Sequence, residues 1–286
     1  MADAGANIRT DEDEASMGYF EDKTILITGA ASGLGRRMAL AMAGEGARIV
    51  AWDIAPRALE DLHAELAAYG KERHLQFVCD VSDREAVYRT AEEVLRRAGP
   101  VDILINNAGV VSGRPILECS DEQVQRTLGV NTLALFWTVK AFLPAMAARN
   151  RGHVVTVASA AGLIGAARLV DYCASKFAAV GFDEALRVEL AQIAPRVRTT
   201  VICPFYIDTG MFAGVRTRFP LLLPIMSEEY AARRMIAAIR GRKARLVMPP
   251  LVMTIPLLRL LPVRLCDRVA GWLGVNVSMD HFRGRI

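Results

Sequence analysis

The sequence has few cysteines, no long uncharged apolar run and no leader-like N-terminus, and each shortage excludes a class of protein. Its five cysteines include no C-x-x-C pair, which is typical of free thiols in a reducing compartment. The longest stretch without Lys, Arg, Asp or Glu, residues 152–167, is shorter than the roughly 18 apolar residues that span a bilayer. Acidic residues 11–14 stand where a signal peptide needs a basic flank. We therefore expect a cytoplasmic protein without a spanning helix.

The sequence also lacks a large excess of either basic or acidic residues. The chain carries 35 basic and 31 acidic side chains, a formal net charge of +4, which is too little to indicate a nucleic-acid partner. Neither the cysteines nor the four histidines show the clustered spacing of a metal site. Hydrophobic residues make up 52% of the chain, too many for a disordered protein. The composition therefore predicts a packed globule without a metal ion.

Short apolar runs alternate with helix-forming stretches along the chain. The runs predict strands at residues 24–27, 48–52, 75–79, 102–105, 153–158, 199–203 and 244–248, and the stretches between them predict helices near 34–44, 57–69, 83–97, 121–149, 173–193 and 228–240. Continuous apolar strands joined by helices are typical of a parallel sheet covered on both faces. The sequence therefore predicts a single doubly wound, Rossmann-type α/β domain with about seven parallel strands and helices on both faces.

Two terminal segments differ in composition from the alternating pattern of residues 21–245. Residues 1–20 are acidic and lack apolar periodicity, which predicts a flexible tail. Residues 246–286 form an apolar, basic extension whose prolines prevent one long helix. Short amphipathic pieces with basic rims predict a peripheral contact with an anionic membrane. The alternative is that the extension packs on its own domain or on a dimer partner.

A glycine-rich turn, TGAASGLG, follows the first predicted strand. Gly29, Gly33 and Gly35 permit a tight turn and leave room for a phosphate at the start of the next helix. Asp53 lies 18 residues after Gly35, at the end of the second strand, where a carboxylate binds ribose hydroxyls and repels a 2′-phosphate. The alternative is an ordinary strand-to-helix turn. The combination predicts a dinucleotide site that prefers NAD, with NADP as the alternative because the cations Arg36 and Arg57 are near.

Five motifs in a fixed order carry a family resemblance. With TGAASGLG at residues 28–35, NNAG at 106–109, then Asn131, Ser159 and Tyr172-x-x-x-Lys176, the chain resembles the short-chain dehydrogenase/reductase family over residues 22 to about 250. Residues 171–177 and 203–212 are similar to the retinol and 17-beta-hydroxysteroid dehydrogenase branch. Many members of the wider family have Gly where Phe205 stands.

Elementary chemistry assigns a task to each of these polar residues. Oxidation of an alcohol removes the hydroxyl proton while a hydride leaves carbon. Tyr172 is the predicted base, because Lys176 at i+4 lies one helical turn away and a cation favours the phenolate. Ser159, at the end of the fifth strand, is predicted to bind the substrate oxygen. The resemblance implies that Asn131 helps to hold a water linked to the lysine. Each residue alone also fits a structural role: a surface Tyr/Lys pair, a strand end, a satisfied core amide.

The resemblance also implies a set of contacting residues, in a catalytic domain that includes a substrate loop at 205–226. The predicted cofactor contacts are Gly29, Ser32, Gly33, Leu34, Gly35, Asp53, Ile54, Asp80, Val81, Asn107, Ala108, Gly109, Tyr172, Lys176, Pro204, Ile207 and Thr209. The predicted substrate contacts beside Ser159 are Leu163, Tyr206, Met211 and Phe212. The loop is unusually apolar, which predicts a hydrophobic substrate such as a retinoid, steroid or other lipid alcohol.

The leading functional hypothesis is therefore an NAD-dependent dehydrogenase that interconverts a hydrophobic alcohol and its carbonyl. One alternative is a lipid-associated scaffold that binds NAD with little turnover, against which the intact Ser159, Tyr172 and Lys176 argue. Another is a dehydrogenase of the same family that acts on a small alcohol. An epimerase or dehydratase of this fold ranks last, because the chain lacks extra substrate-domain sequence. The predicted long helices at 121–149 and 173–193 are candidate faces of a homo-oligomer, a dimer or a tetramer.

Overall fold

Seven parallel strands form one sheet in the order β3-β2-β1-β4-β5-β6-β7. The computed structural model describes residues 18–70 and 72–284, so most of the predicted acidic tail lies outside the described residues. The strands are β1 Thr24–Thr28, β2 Arg48–Asp53, β3 Leu75–Val78, β4 Ile103–Asn106, β5 Gly152–Val157, β6 Val197–Pro204 and β7 Arg245–Met248. The predicted doubly wound α/β domain is confirmed.

Helices connect consecutive strands and continue after the last one. They are α1 Gly33–Gly44, α2 Pro56–Leu66, α3 Arg84–Ala98, α4 Asp121–Leu128, α5 Ala134–Ala148, α6 Val170–Ile193, α7 Glu228–Arg240, α8 Ile255–Leu258 and α9 Val263–Trp272. The one helix predicted over 121–149 is interrupted by a π-helical segment, Gly129–Leu133, a local widening that often marks functional sites. The helix predicted to start at residue 173 begins three residues earlier.

Each central strand is buried on both faces, which explains its unbroken apolar sequence. In β1, Ile25 and Ile27 pack into the cluster that contains α1, α2 and α7. Leu26, between them, packs into the cluster that contains α3 and α5 on the opposite face. Because side chains alternate along a strand, one short strand contributes to both cores and holds the two helix layers in place.

The strand order reverses between β1 and β4, and the loops after these two strands are tied together. The Thr28 hydroxyl oxygen accepts the backbone N–H groups of Asn107 at 3.0 Å and Ala108 at 3.1 Å. The Asn107 amide donates to the carbonyls of Thr28 at 3.0 Å and Gly29 at 3.1 Å. Ligands of open α/β sheets bind at such a switch point, beyond the carboxyl ends of the strands. The fold therefore places a candidate site at this edge.

One helical stretch among the described residues, Asp121–Ala148, is long and apolar enough to cross a membrane. The stretch contains no long uncharged run, because Arg126 and Lys140 interrupt it. Its inner face is buried against the sheet through Val139 and Phe142. This burial is typical of a core helix, which passes the same test of length and composition.

The C-terminal extension forms short pieces, as its prolines predict. A 3₁₀ turn, Pro250–Thr254, leads into α8 and then α9. Val252 and Ala270 are buried against the domain, whereas Leu257, Leu260 and neighbouring apolar side chains are exposed. The extension therefore packs on its own domain through one side and presents an apolar surface on the other.

Candidate active site

A cavity of about 950 Å³ lies at the carboxyl edge of the sheet. Its wall includes most of the predicted contact residues: Gly29, Ser32, Gly33, Leu34, Asp53, Ile54, Asp80, Val81, Asn107, Ala108, Gly109, Ser159, Tyr172, Lys176, Pro204, Tyr206, Ile207, Thr209, Met211 and Phe212. Side chains from both halves of the sheet thus meet in one continuous space. Three of the predicted residues, Gly35, Asn131 and Leu163, are not on this wall.

The glycine turn is built for close backbone approach. Gly29 and Gly33 have φ angles of +63° and +52°, which L side chains rarely adopt. An added Cβ at Gly35 would lie 2.1 Å from the carbonyl oxygen of Gly29. Gly35 therefore allows the start of α1 to approach the turn closely from behind. The N–H groups at the start of α1 form an anion-binding end of the kind that holds a pyrophosphate.

Asp53 lies at the end of β2, and both of its carboxylate oxygens accept backbone hydrogen bonds. Oδ2 accepts from the N–H of Ala31 at 2.9 Å and Oδ1 from that of Ala55 at 3.1 Å. Arg36, a candidate partner for a 2′-phosphate, forms an ion pair with Glu65 instead. The carboxylate is thus fixed beside the glycine turn.

Tyr172 and Lys176 lie one turn apart on α6, and both are buried. The Lys176 ammonium nitrogen donates to the carbonyl of Val157 at 2.9 Å and lies 5.7 Å from the centroid of the Tyr172 ring. Burial raises the pKa of Tyr172, and the Ser159 hydroxyl offsets only part of that effect. Burial also lowers the pKa of Lys176 to about 8. The loss of water around the ring thus shifts the phenol pKa upward, the opposite direction to the lowering predicted from the lysine.

Ser159 and Asn131 form hydrogen bonds with the segments that surround Tyr172 and Lys176. The Ser159 hydroxyl donates to the carbonyl of Pro204 at 3.3 Å and accepts from the N–H of Ala161 at 3.1 Å. Asn131, in the π-helical segment, exchanges two hydrogen bonds of 2.9 Å with the backbone of Val110 and donates to the Ser175 hydroxyl at 3.0 Å. Its amide lies behind Gly109, away from the cavity wall. Asn131 thus joins the loop after β4 to α6, next to the lysine.

The substrate end of the cavity is aromatic and aliphatic. The Phe212 ring makes edge contacts with Tyr172 and Tyr206, at centroid distances of 5.7 Å and 5.1 Å. The side chain of the predicted contact Leu163 is buried in a cluster with Leu223 and Val252, and its neighbour Ile164 lies on the cavity wall. Both residues follow the 3₁₀ turn Ala160–Gly162 that comes directly after Ser159.

Part of the cavity wall comes from residues that the sequence analysis did not place there. The C-terminal extension contributes Leu251, Val252, Thr254, Ile255, Leu258, Ala270, Leu273, Val275, Phe282, Arg283 and Gly284. The sequence signal for these residues is their apolar composition, which predicts either a membrane contact or packing on the domain itself. In the substrate loop, Leu223 lies on the wall, whereas Leu221 and Leu222 are exposed.

Asp171, immediately before Tyr172, is another residue whose role the sequence pattern did not indicate. Its buried carboxylate accepts the hydroxyls of Ser112 at 2.8 Å and Thr127 at 2.7 Å. It lies in the first turn of α6, where the helix dipole favours a negative charge. Asp171 thus fixes the start of α6, and with it Tyr172, against the loop after β4 and against α4.

Across residues 18–70 and 72–284, no group of three or more His, Cys, Asp or Glu side chains is placed to hold a metal ion. The cavity wall itself carries the phenol of Tyr172, the ammonium of Lys176 and the hydroxyl of Ser159. A phenol and an ammonium, with a hydroxyl beside them, can transfer a proton to or from an oxygen atom.

Several known proteins are similar to this chain in sequence. The family model for short chain dehydrogenases matches residues 23–218. Epidermal retinol dehydrogenase 2 of Mus musculus is 46% identical over 263 residues, which cover 91% of this chain and 85% of the relative. Retinol dehydrogenase 10-B of Xenopus laevis is 41% identical over 285 residues, which cover 90% and 84%.

Solved structures are similar in fold at lower identity. A short chain dehydrogenase/reductase from Burkholderia phymatum, in complex with NAD, has a TM-score of 0.76 and 29% identity, covering 84% of this chain and 94% of that chain. A metagenomic short-chain oxidoreductase in complex with NADP has a TM-score of 0.68 and 26% identity, covering 81% and 99%. Both kinds of nicotinamide dinucleotide are thus found on this fold.

The Asp171 contacts generate a stability prediction. We expect Asp171→Ala to lower the free energy of unfolding by about 1–3 kcal/mol, because the buried hydroxyl of Thr127 and the half-buried hydroxyl of Ser112 lose their acceptor. Urea denaturation measures the change. The matched control is Asp61→Ala, an exposed carboxylate on α2, which we expect to change stability by less than about 0.5 kcal/mol. Equal stability of the two variants would show that the Asp171 contacts contribute nothing.

Proposed function

The chain belongs to the short-chain dehydrogenase/reductase family, in its retinol dehydrogenase branch, and we propose that it oxidises a hydrophobic alcohol to its carbonyl with NAD, or catalyses the reverse. Membership shown by the family match and by relatives named retinol dehydrogenases makes the protein an oxidoreductase that uses a nicotinamide cofactor. The observation that carries the finer proposal is the convergence of Ser159, Tyr172 and Lys176 beside an apolar cavity.

The residues at the glycine turn fit a dinucleotide. A Cβ at Gly35 would collide with the turn, and the positive φ of Gly29 and Gly33 leaves the backbone open to a pyrophosphate. Asp53 would bind the adenosine ribose, and Asp80 and Val81, on the same wall, would flank the adenine. The pairing of Arg36 with Glu65 supports NAD over NADP, because it occupies the cation that would otherwise bind a 2′-phosphate.

The proposed chemistry uses the chain's own groups for the proton. Ser159 donates a hydrogen bond to the substrate oxygen and orients it, and the Tyr172 phenolate takes the hydroxyl proton. Lys176 stabilises the phenolate, and Asn131 positions the lysine through the loop after β4. A bound oxidised nicotinamide supplies the hydride acceptor and a positive charge that favours the phenolate. In the reverse reaction the Tyr172 hydroxyl returns the proton to the carbonyl oxygen.

The cavity wall supports a hydrophobic substrate. Beyond Tyr172 the wall is made of Met211, Phe212, Leu223 and apolar side chains of the extension. Burying about 200 Å² of hydrocarbon at about 25 cal/mol per Å² contributes about 5 kcal/mol to binding, so the apolar body of a retinoid, steroid or lipid alcohol supplies most of the affinity. A scaffold without turnover would not require the buried Tyr172 and Lys176, whose burial costs stability.

A homo-oligomer is part of the proposal. The outward sides of α5 and α6 expose Phe136 and Val188, and Phe136 packs on Phe182 with their ring centroids 4.8 Å apart. Apolar side chains on two adjacent helices are typical of an interface between copies.

Peripheral contact with a membrane is also proposed, for the outer side of the extension. Leu260 and Val263 are 81% and 75% exposed, and the cations Arg264 and Arg268 on α9 are exposed next to them. An apolar ridge with basic neighbours is complementary to an anionic lipid surface, where each cation contributes about 1 kcal/mol. The ridge belongs to the same segment that lines the cavity, so a lipid alcohol could pass between membrane and site.

Removing the phenol oxygen tests the function. We expect Tyr172→Phe to lower kcat for retinol oxidation by about 10²–10⁴-fold, the usual contribution of general acid/base catalysis, with NADH binding preserved. The assay follows the absorbance of reduced nicotinamide over a series from short alkanols to retinol and steroid alcohols. In the unmodified chain the rate should rise with pH above neutrality, because the raised pKa keeps Tyr172 protonated at pH 7.

The matched control is Tyr230→Phe, an exposed tyrosine on α7, which should retain kcat within about twofold because it touches no reacting group. Near-normal turnover of a folded Tyr172→Phe protein would contradict the mechanism. A preference for small polar alcohols would overturn the proposed substrate class alone.

Cofactor choice is tested at the acidic residue after β2. We expect Asp53→Asn to lower the ratio of kcat/KM with NAD to kcat/KM with NADP by about fivefold or more. The reason is that the repulsion between the Asp53 carboxylate and a 2′-phosphate at about 4 Å costs about 1 kcal/mol in water. Steady-state kinetics with both cofactors measure the ratio. Asp61→Asn on α2 is the matched control, and an unchanged ratio in Asp53→Asn would place selectivity elsewhere.

Vesicle binding tests the membrane contact. We expect the unmodified chain to sediment with phosphatidylserine-containing vesicles, less so in high salt, and the double variant Leu260→Glu/Val263→Glu to remain in solution. Ile193→Glu changes an apolar residue that is also exposed but lies at the C-terminal end of α6, and this variant should sediment normally. Equal sedimentation of all three proteins would reject the contact.

A further inference from the structure

Residues 275–284 contribute to the cavity wall and are hydrogen-bonded to the substrate loop. We call residues 275–284 the tail segment. The carbonyl of its Ser278 accepts the N–H of Arg216 at 3.2 Å, and the N–H of Arg283 donates to the carbonyl of Ala213 at 2.8 Å. The Ser278 hydroxyl also bonds the hydroxyl of Tyr206 at 2.8 Å. The tail segment is therefore held to the substrate loop by two backbone hydrogen bonds and by one hydrogen bond between side chains.

Two side chains of the tail segment point inward. Met279 is 1% exposed and packs in one cluster with Tyr172 and Tyr206. Phe282 is half-buried on the cavity wall, with its ring centroid 6.4 Å from that of Phe212. Because the Phe212 ring in turn contacts Tyr172, only one ring separates Phe282 from the phenol.

Two loops of the catalytic domain have no side chain where the tail segment crosses them. A Cβ at Gly113 would lie 2.0 Å from the Phe282 ring, and a Cβ at Gly214 would lie 2.0 Å from the carbonyl oxygen of His281. Both glycines have positive φ angles, so a side chain there would be strained as well as obstructed. The loops are therefore shaped to receive the tail segment.

We propose that the tail segment is the outer wall of the substrate pocket and that Phe282 is a specificity-determining residue for long apolar alcohols. The inference rests on the proposed function, which it extends by naming the group that contacts the substrate's apolar body. A short alcohol held at Ser159 and Tyr172 ends before it reaches Phe282, whereas a retinoid-sized chain extends past Phe212 to the tail segment. Phe282 thus acts on affinity for the body of the substrate and not on proton transfer.

The first test compares two alcohols with the full chain. Phe282→Ala is expected to lower kcat/KM for retinol at least tenfold and to leave kcat/KM for 1-butanol within twofold. The matched control is Phe77→Ala, a half-buried phenylalanine on the edge strand β3, which should leave the ratio of the two values unchanged. An unchanged ratio in Phe282→Ala overturns the proposal.

A second pair of variants displaces the ring without removing it. Gly113→Ala should lower the retinol to 1-butanol ratio in the same direction as Phe282→Ala, and should add nothing further in the double variant. Gly99→Ala is the matched control, because Gly99 also has a positive φ but a Cβ there would meet nothing within 4 Å. Additive effects in the double variant would show that Gly113 does not act through Phe282.

A binding measurement separates this proposal from the proposed function. Retinol fluorescence, titrated with protein in the presence of NADH, should give at least a tenfold larger Kd for Phe282→Ala than for the unmodified chain. If the unmodified chain binds retinol but does not oxidise it, the proposed function fails and the pocket proposal stands. If it does not bind retinol, or if the two Kd values agree, the pocket proposal is overturned.

Discussion

The connection between the loops after β1 and β4 is the constraint on which the site depends. Thr28 and Asn107 exchange side-chain and backbone hydrogen bonds at the point where the strand order reverses. The connection holds the glycine turn open on one side and presents Gly109 to Asn131 and Lys176 on the other. Because the strands are parallel, all their carboxyl ends reach the same edge, so one local network positions both the glycine turn and the loop beside Lys176 at the cavity.

Burial governs the chemistry of the catalytic end. It raises the pKa of Tyr172 and lowers that of Lys176 to about 8, so both groups are held closer to their neutral forms than in water. Hydrogen bonds of Lys176 to Val157 and of Asp171 to two hydroxyls fix the helix that carries the pair. The phenol is thereby kept as an acid near neutrality, which suits donation to a carbonyl and requires added positive charge for the opposite direction.

The apolar end of the cavity is assembled from distant parts of the chain. The substrate loop follows β6, while α8, α9 and the last described residues come after the sheet is complete. The extension therefore has two sides with different partners: Val252 and Met279 pack inward, and Leu260 points to solvent. One segment combines the wall of a hydrophobic pocket with an exposed apolar ridge, an arrangement suited to a substrate that dissolves poorly in water.

The sheet, most of its helices and the polar groups of the candidate site are predictable from sequence, because strand burial, glycine turns and the i, i+4 spacing of Tyr172 and Lys176 are local properties of the chain. Other features appear only in the folded chain: Ile164 and Phe282 lie on the cavity wall, and Asp171 joins α6 to Ser112 and Thr127. The contacts of Asp171 and Phe282 join residues that are far apart in the chain. Such contacts give no periodic pattern in the sequence, because they depend on how whole helices, strands and loops pack on one another.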